Sequence, residues 1–278
     1  MKRISLICIV GGSNELFQKI FDYVKKDIPG EWKNKYKYIG RGALELPLEE
    51  GSKSYQYVME MAKKHALHPS VFQISHYTKS EIEEAEYFRM DVMYPLELEG
   101  TEASDYGTQY TGGCPNPKCR LGKKLVGDVL VDRKFMKKWD IGTLLPDIYV
   151  SERLAGLIRE EGLTGISAIG EVRDFKGREM PKYYVVEIEH ILPPMAESAW
   201  LVSDDYHPMY KDCEHQVVYL RSDVQYERGK LVGAKDFNLS TEYIDNYRLR
   251  VLIVSAKVRN LFKQNKVHAR FSPVAILE

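Results

Sequence analysis

The sequence lacks both a long hydrophobic run and an excess of charge of either sign. None of its apolar stretches approaches the ~20 residues that a membrane-spanning helix requires. Lysine and arginine together number 40, and so do aspartate and glutamate, which gives a formal net charge of +0. Proteins whose main role is to hold a phosphate backbone usually carry a clear positive excess. These absences disfavour a membrane-spanning protein and a general nucleic-acid-binding protein.

The N-terminus does not match a secretory signal peptide. Lys2 and Arg3 precede an apolar run, but the run ends after Val10 and no small-residue cleavage site follows it. We therefore expect a cytoplasmic protein. Cysteine is scarce, with four residues in 278. In a reducing compartment these cysteines are expected to be thiols or metal ligands rather than disulfides.

Phosphate-binding motifs are also missing. Gly11 and Gly12 follow the first predicted strand, but the chain contains neither G-x-G-x-x-G nor G-x-x-x-x-G-K-[ST]. The two glycines therefore predict a tight turn between a strand and a helix, and not a nucleotide site.

The composition is that of a folded globular protein, with 44% hydrophobic and 11% aromatic residues. Over the first hundred residues the pattern predicts strands at 4–10, 71–76 and 91–98. Between them it predicts a helix capped by Asn14 and helices over 55–67 and 80–88. We predict an α+β fold, in which an N-terminal mixed α/β domain over 1–100 precedes a duplicated strand–helix–strand domain over 101–278.

An internal repeat is the most informative feature of the chain. The segment 147–172 aligns with 252–277, so that Ser151 matches Ser255 and the apolar faces of two helices coincide. Each copy predicts a strand, a serine, a helix and a second strand, and the two copies are expected to pack in a pseudo-twofold arrangement. The serines suit N-capping, because a hydroxyl oxygen accepts from first-turn N–H groups. Since no histidine or acidic pattern accompanies both, a nucleophilic role is disfavoured.

Cysteine and histidine provide the one cluster with evident chemistry. Cys114 and Cys119 enclose Pro-Asn-Pro-Lys, while Cys213 and His215 precede the second repeat segment much as Cys119 precedes the first. If the copies pack together, the four side chains would bind zinc as a Cys3His site and stabilise a turn-rich segment. Four protein ligands leave no open position, so such a zinc would be structural. The alternatives are reduced cysteines in loops, or His207 as a substitute ligand.

A short acidic strand keeps an enzymatic function open. Glu187, Glu189 and His190 lie in VVEIEHI, where apolar and polar residues alternate as in a half-exposed strand. Carboxylates two residues apart on a strand share one face. With no partner acid or base identified, these residues are candidates for a hydrolase or transferase that has no readable motif.

A basic stretch beside Cys119 keeps a third function open. A zinc-knuckle nucleic-acid-binding protein would need these side chains to form one positive patch, and its binding would depend strongly on salt. The residues concerned are Lys118, Arg120, Lys123 and Lys124.

The second half of the chain resembles the double-CxxCG proteins and related immunity proteins of bacterial polymorphic-toxin systems. The matching segments are GGCPNPKCRLG, IYVSERLAGLIREEGLTGI, DCEH and LIVSAKVRNLFKQNKVHARFSPV, within residues 110–278. The sequence departs from the pattern in two places. The first knuckle is Cys-x4-Cys rather than Cys-x2-Cys-Gly, and His215 stands where the pattern has a cysteine.

The resemblance implies a cytoplasmic, non-enzymatic protein that neutralises one cognate toxin by direct binding. It transfers no catalytic residue and no contact surface. The toxin is the expected partner, with neither a membrane nor a nucleic acid involved, and structural zinc is the expected cofactor.

Overall fold

The computed structural model describes residues 2–30, 39–40, 43–92, 103–114, 122–136, 139–144, 147–202, 217–220, 222–244 and 249–278. These residues form α-helices and β-strands in numbers that confirm the predicted α+β class. The helices are α1 (Asn14–Val24), α2 (Lys53–Lys64), α3 (Lys79–Glu84), α4 (Glu152–Glu160) and α5 (Ala256–Gln264). The first nine strands are β1 (Lys2–Val10), β2 (Ile39–Gly40), β3 (Ala43–Glu49), β4 (Ser70–His76), β5 (Tyr87–Asp91), β6 (Gln109–Gly112), β7 (Lys123–Val126), β8 (Val129–Val131) and β9 (Ile141–Thr143). The remaining ten are β10 (Ile148–Ser151), β11 (Ser167–Asp174), β12 (Tyr183–Glu187), β13 (Trp200–Val202), β14 (Val217–Leu220), β15 (Gln225–Glu227), β16 (Phe237–Ile244), β17 (Leu249–Ser255), β18 (Arg270–Pro273) and β19 (Ala275–Leu277).

The chain divides into two compact units, of which the first is Met1–Glu84 with Leu220–Asp223. Its antiparallel sheet has the strand order β2–β3–β1–β4. The amphipathic helix α1 buries its apolar side chains in a core that α2 and the strands share. The Ser13 hydroxyl accepts from the Leu16 N–H at 3.2 Å, so the helix is capped by Ser13, one residue before the predicted Asn14.

The division after Glu84 differs from the boundary expected near residue 100. The helix expected over 80–88 ends at Glu84, and the strand expected over 91–98 begins earlier, as β5. Residues 93–100 lie outside the described part of the chain. Because β5 pairs with β17 and β18, it belongs to the second unit.

The second unit, Ala85–Tyr219 with Val224–Glu278, contains two large sheets. The first has the strand order β8–β11–β12–β10–β9, and the second has the order β13–β14–β16–β17–β5–β18. Helix α4 lies against β10 and β12, while α5 lies against β17 and β5. Among the described residues, no helix has the length and apolar character needed to cross a membrane.

The two halves of the second unit contain the same series of elements. We call residues 87–174 copy A and residues 183–277 copy B. Apart from β6 and β7 in copy A and β13 and β14 in copy B, the series in copy A is β5, β8, β9, β10, α4 and β11, and the series in copy B is β12, β15, β16, β17, α5 and β18 with β19. Tyr87 and Tyr183 are 96 residues apart, as are the starts of β8 and β15. The structural correspondence is thus longer than the 26-residue segments that align in sequence.

Strand pairing is also equivalent in the two copies. The β9–β10 hairpin of copy A corresponds to the antiparallel β16–β17 hairpin of copy B. The parallel pair β8–β11 corresponds to the parallel pair β15–β19. In each copy a serine ends the second hairpin strand, and the helix begins at the next residue.

Candidate functional site

The expected zinc site cannot be assembled from the described residues. Cys114 is buried, with 7% of its surface exposed, just after β6. Cys119, Cys213, His215 and the substitute His207 all lie outside the described part of the chain. Within that part, no three His, Cys, Asp or Glu side chains are grouped closely enough to hold a metal ion.

The repeat serine of copy A lies in a cluster that also contains Asp140 and Arg153. The Ser151 hydroxyl donates to Asp140 Oδ1 at 2.7 Å, and its oxygen accepts from the Leu154 N–H at 3.1 Å. Arg153 donates to both carboxylate oxygens, with Nε at 3.0 Å and Nη2 at 2.5 Å. Ser151 is therefore an N-cap, as its position before the helix predicts.

The electrostatics of this cluster keep the Asp140 carboxylate ionised. Burial by itself raises the pKa of Asp140, but the hydrogen bonds from Arg153 and Ser151 outweigh it, and the pKa lies below its ordinary value. The same contact with Asp140 raises the pKa of Arg153. A carboxylate with a lowered pKa is a weak base, which disfavours Asp140 as the group that would activate Ser151 as a nucleophile.

Copy B repeats the cluster with Ser255 and Asp236. The Ser255 hydroxyl donates to Asp236 Oδ1 at 2.7 Å, and the Ser255 N–H donates to the Asp236 carbonyl at 3.0 Å. The corresponding N–H contact in copy A, from Ser151 to the Asp140 carbonyl, is 2.7 Å. Ser255 precedes its helix but its side chain caps no N–H group, so the expected capping role is wrong for this serine. Its hydroxyl instead donates the hydrogen bond to the Asp236 carboxylate.

Each of the two clusters touches the loop that follows the other copy's helix. Arg153 of copy A donates to the Asn265 carbonyl at the end of α5, at 3.3 Å. Thr164, which follows α4, donates to Asp236 Oδ2 from its N–H and its hydroxyl, both at 2.9 Å. These N–H and hydroxyl donors, with Ser255, outweigh the effect of burial and lower the pKa of Asp236. Each cluster thus contacts the segment that follows the other copy's helix, through Arg153 in copy A and through Asp236 in copy B.

The two helices also end in the same way. Gly162 follows α4 with φ +62°, and Lys266 follows α5 with φ +55°, so both occupy the left-handed region. The N–H of the next residue then returns to the helix: Leu163 donates to the Ile158 carbonyl at 3.1 Å and Val267 to the Phe262 carbonyl at 2.9 Å. Glycine meets this backbone requirement without strain, and lysine does not.

Neither aspartate is predicted as a partner of the repeat serines from the sequence. Asp140 precedes Ser151 by 11 residues, whereas Asp236 precedes Ser255 by 19. The extra residues lie in the β16–β17 hairpin, whose register shifts between Leu239 and Tyr243. An alignment allowed to open a gap of eight residues in this hairpin would have matched the two aspartates.

The candidate enzymatic residues have separate structural environments. The Glu187 side chain is exposed, and Glu189 accepts from the Ser167 hydroxyl at 3.2 Å. His190 Nδ1 lies 2.8 Å from Asn238 Oδ1, and the His190 carbonyl accepts from the Leu239 N–H at 2.9 Å. His190 is thus held by β16, while Glu187 ends β12 and Glu189 follows it two residues later.

Lys123 and Lys124 lie on β7, which pairs with β6 in a two-stranded sheet. Lys118 and Arg120, the other two members of the expected basic patch, lie outside the described part of the chain. The patch therefore stays a prediction from the sequence.

A bulge in β11 leaves one apolar side chain exposed beside acidic ones. The pairing of β11 with β12 shifts between Ala168 and Gly170, so Ile169 is the bulged residue, and 42% of it is exposed. Gly170 lies against Gly127: a Cβ at this glycine would approach the Gly127 carbonyl oxygen to 2.6 Å. Val126, the neighbour of Gly127, is 47% exposed.

The acidic side chains border the same bulge. Ser167 at the start of β11 pairs with Glu187 across the sheet and donates to Glu189. Both glutamates are exposed, and neither forms an ion pair within the part of the chain that the structure describes. We call Val126, Ile169, Glu187 and Glu189 the Ile169 surface.

Comparison with protein-family models finds no matching family, and comparison with curated proteins finds no match.

Proposed function

We propose that this chain is a cytoplasmic immunity-type protein that neutralises one cognate toxin by binding it, with no chemistry of its own. The observation that carries the proposal is the Ile169 surface. An exposed apolar centre with a polar border is the usual composition of a protein-binding patch. The resemblance of residues 110–278 to toxin-immunity proteins supports the same conclusion.

Local backbone features account for the exposure of the apolar centre. A β-bulge re-aims a side chain, and here the bulged residue is Ile169. Gly170 lacks the Cβ that would collide with Gly127, so the chain segment that carries Val126 comes close to the bulge. Single exposed apolar residues are common on protein surfaces and need no explanation. The exposure of Ile169 differs from these cases because the bulge produces it.

The acidic border indicates the charge of the partner. Glu187 and Glu189 leave two carboxylates beside the apolar centre that described basic residues do not neutralise. Complementary charge steers association and suppresses binding of wrong partners. The proposed partner is therefore a toxin with a basic surface that includes an apolar contact point.

The experiment is co-expression of the chain with a candidate cognate toxin, followed by purification of the complex. We expect a one-to-one complex that Ile169→Asp abolishes or weakens at least tenfold, because a charge would be buried at the apolar centre. The matched control is Val232→Asp, since Val232 is an exposed apolar residue elsewhere on the same unit, at 85%. Equal binding by both variants would show that the toxin binds another surface.

We also propose that Cys114, Cys119, Cys213 and His215 bind one structural zinc ion. Burial of Cys114 and the thiol and imidazole chemistry of the set suit zinc, which prefers these donors. Elemental analysis of protein purified without added zinc is expected to give one equivalent. Cys114→Ser should lose that zinc, whereas Cys8→Ser, in β1, should retain it. Absence of zinc from the unaltered protein would contradict the proposed zinc site.

A further inference from the structure

The first strands of the two copies are exchanged. Strand β5 opens copy A, yet it lies between β17 and β18 of copy B. Strand β12 opens copy B, yet it lies between β10 and β11 of copy A. In each sheet, therefore, the strand between the hairpin and the last strand is supplied by the other copy.

The registers of the two exchanged strands are equivalent. Ser255 of copy B pairs with Tyr87, and Ser151 of copy A pairs with Tyr183. The first helical N–H of each copy donates to the carbonyl that precedes the exchanged strand. Ala256 donates to Glu86 at 2.8 Å, and Glu152 donates to Lys182 at 3.1 Å.

The chain spacing identifies the strands as exchanged rather than appended. Tyr87 and Tyr183 are 96 residues apart, and so are Asp140 and Asp236. A single tandem duplication of one unit, with its first strand at its start, produces both spacings. If each strand belonged instead to the copy with which it pairs, β5 would be the first strand of copy B and β12 would be the last strand of copy A. The two copies would then differ in the order of their elements.

Side chains on the exchanged strands contact the receiving copy. The Phe88 ring is fully buried, and the Arg259 guanidinium of α5 lies 4.9 Å from its centre. Phe88 also packs edge-on against Phe271 in β18, with ring centres 6.3 Å apart. In the other direction, Tyr183 packs edge-on against Tyr149 of β10 at 5.5 Å.

We infer that residues 85–278 are a fused, strand-exchanged dimer of one ancestral unit, in which each copy's helix is held in place by the other copy's first strand. The copies cannot separate without losing the central part of both sheets. Exchange of an identical element between protomers is a low-cost route to a dimer, and fusion makes that dimer permanent. The partner that completes each copy is thus a second copy of the same fold.

Hydrogen exchange of the full chain, measured by mass spectrometry over α4 and α5, tests whether each helix is stabilised by the strand that the other copy supplies. Phe88→Leu, near the start of copy A, should speed exchange in α5 by roughly tenfold and leave α4 nearly unchanged. The matched variant Tyr183→Leu should do the reverse and speed exchange in β10 and α4. If Phe88→Leu instead loosened α4, the exchange of strands would be wrong.

A second experiment tests whether the copies remain locked. A protease site inserted between Lys176 and Gly177, in the exposed loop between β11 and β12, allows the folded chain to be cut between the copies. The two pieces should co-elute in native buffer and separate only in denaturant. Separation in native buffer would contradict the inference, whether or not the leucine variants fold well.

Discussion

Thr164 and Asp236 join the two copies through two hydrogen bonds of 2.9 Å, one from the threonine N–H and one from its hydroxyl. The Asp236 N–H returns a bond to the same hydroxyl at 3.2 Å. The hydroxyl is therefore both donor and acceptor across the junction.

Replacement of this hydroxyl should weaken the junction. Thr164→Val keeps the shape of the side chain but leaves Asp236 with one donor fewer, so we expect the free energy of unfolding to fall by about 1 kcal/mol. Thr164→Ser retains the hydroxyl and should cost less than half as much. Urea denaturation measures both values, and equal losses in the two variants would mean that the hydroxyl contributes nothing.

Acid should destabilise the protein through its hydrogen-bonded aspartates. Asp174, at the end of β11, accepts hydrogen bonds from Arg178 and from backbone N–H groups, and these contacts lower its pKa. The pKa values of Asp140 and Asp236 are lowered by their own donors, Arg153 and Ser151 for the first and Thr164 and Ser255 for the second. A carboxyl with a lower pKa in the folded than in the unfolded chain stabilises the fold above the unfolded pKa. That contribution disappears as the pH falls through the folded pKa.

The free energy of unfolding should therefore decline as the pH drops below about 4. Asp174→Asn removes one of the titrating groups. It should lower stability at pH 7 and make the acid-induced decline shallower, as urea titrations at several pH values will show. A decline with the same slope in the variant would exclude Asp174 as a contributor.

The hydroxyl of Tyr149 should be dispensable for stability. Tyr149 is fully buried, its hydroxyl has no hydrogen-bond partner among the described residues, and burial raises its pKa. Tyr149→Phe removes a desolvated polar group, so we expect stability to stay constant or to rise by up to about 1 kcal/mol. Tyr110→Phe is the matched control, because the Tyr110 hydroxyl donates to Asp147 at 2.5 Å. Thermal unfolding should show a loss of stability for Tyr110→Phe and none for Tyr149→Phe.

Lys266 is a site where a single change should stabilise the protein. Its φ of +55° is costly for a side chain with a Cβ, and Gly162 occupies the equivalent place after α4. Lys266→Gly should raise the free energy of unfolding by roughly 0.5 kcal/mol, the relief of strain less the added entropy of the unfolded chain. The reverse change, Gly162→Lys, should lower it. A loss of stability in Lys266→Gly would show that the lysine side chain matters more than its backbone.

The spacing of apolar residues predicts those helices and strands that are determined by residues close together in the sequence. The apolar spacing of α1, α2, α4 and α5 and the strand at β1 could all be read from the chain, because periodicity and capping are local properties. For β5 the pattern predicts a start at residue 91, whereas the strand begins at Tyr87. Tyr87 and Phe88 continue the spacing of the acidic helix before them, and only pairing with distant strands fixes them as β structure.

The partners of the repeat serines could not be predicted in the same way. A serine before a helix predicts a cap, and Ser151 is one. The Ser255 hydroxyl instead donates to Asp236, which lies 19 residues earlier and just before β16. The exchange of β5 and β12 is likewise a matter of long-range pairing. The exposed bulge at Ile169 was missed because a register shift leaves no periodic signal.

The most direct test of the account titrates the cognate toxin's activity with the purified chain. A protein that neutralises by binding should abolish the activity at one equivalent, without dependence on incubation time, and Ile169→Asp should shift or remove this endpoint. Complete inactivation at far less than one equivalent, increasing with time, would instead reveal an enzyme that modifies the toxin and would contradict the proposed function.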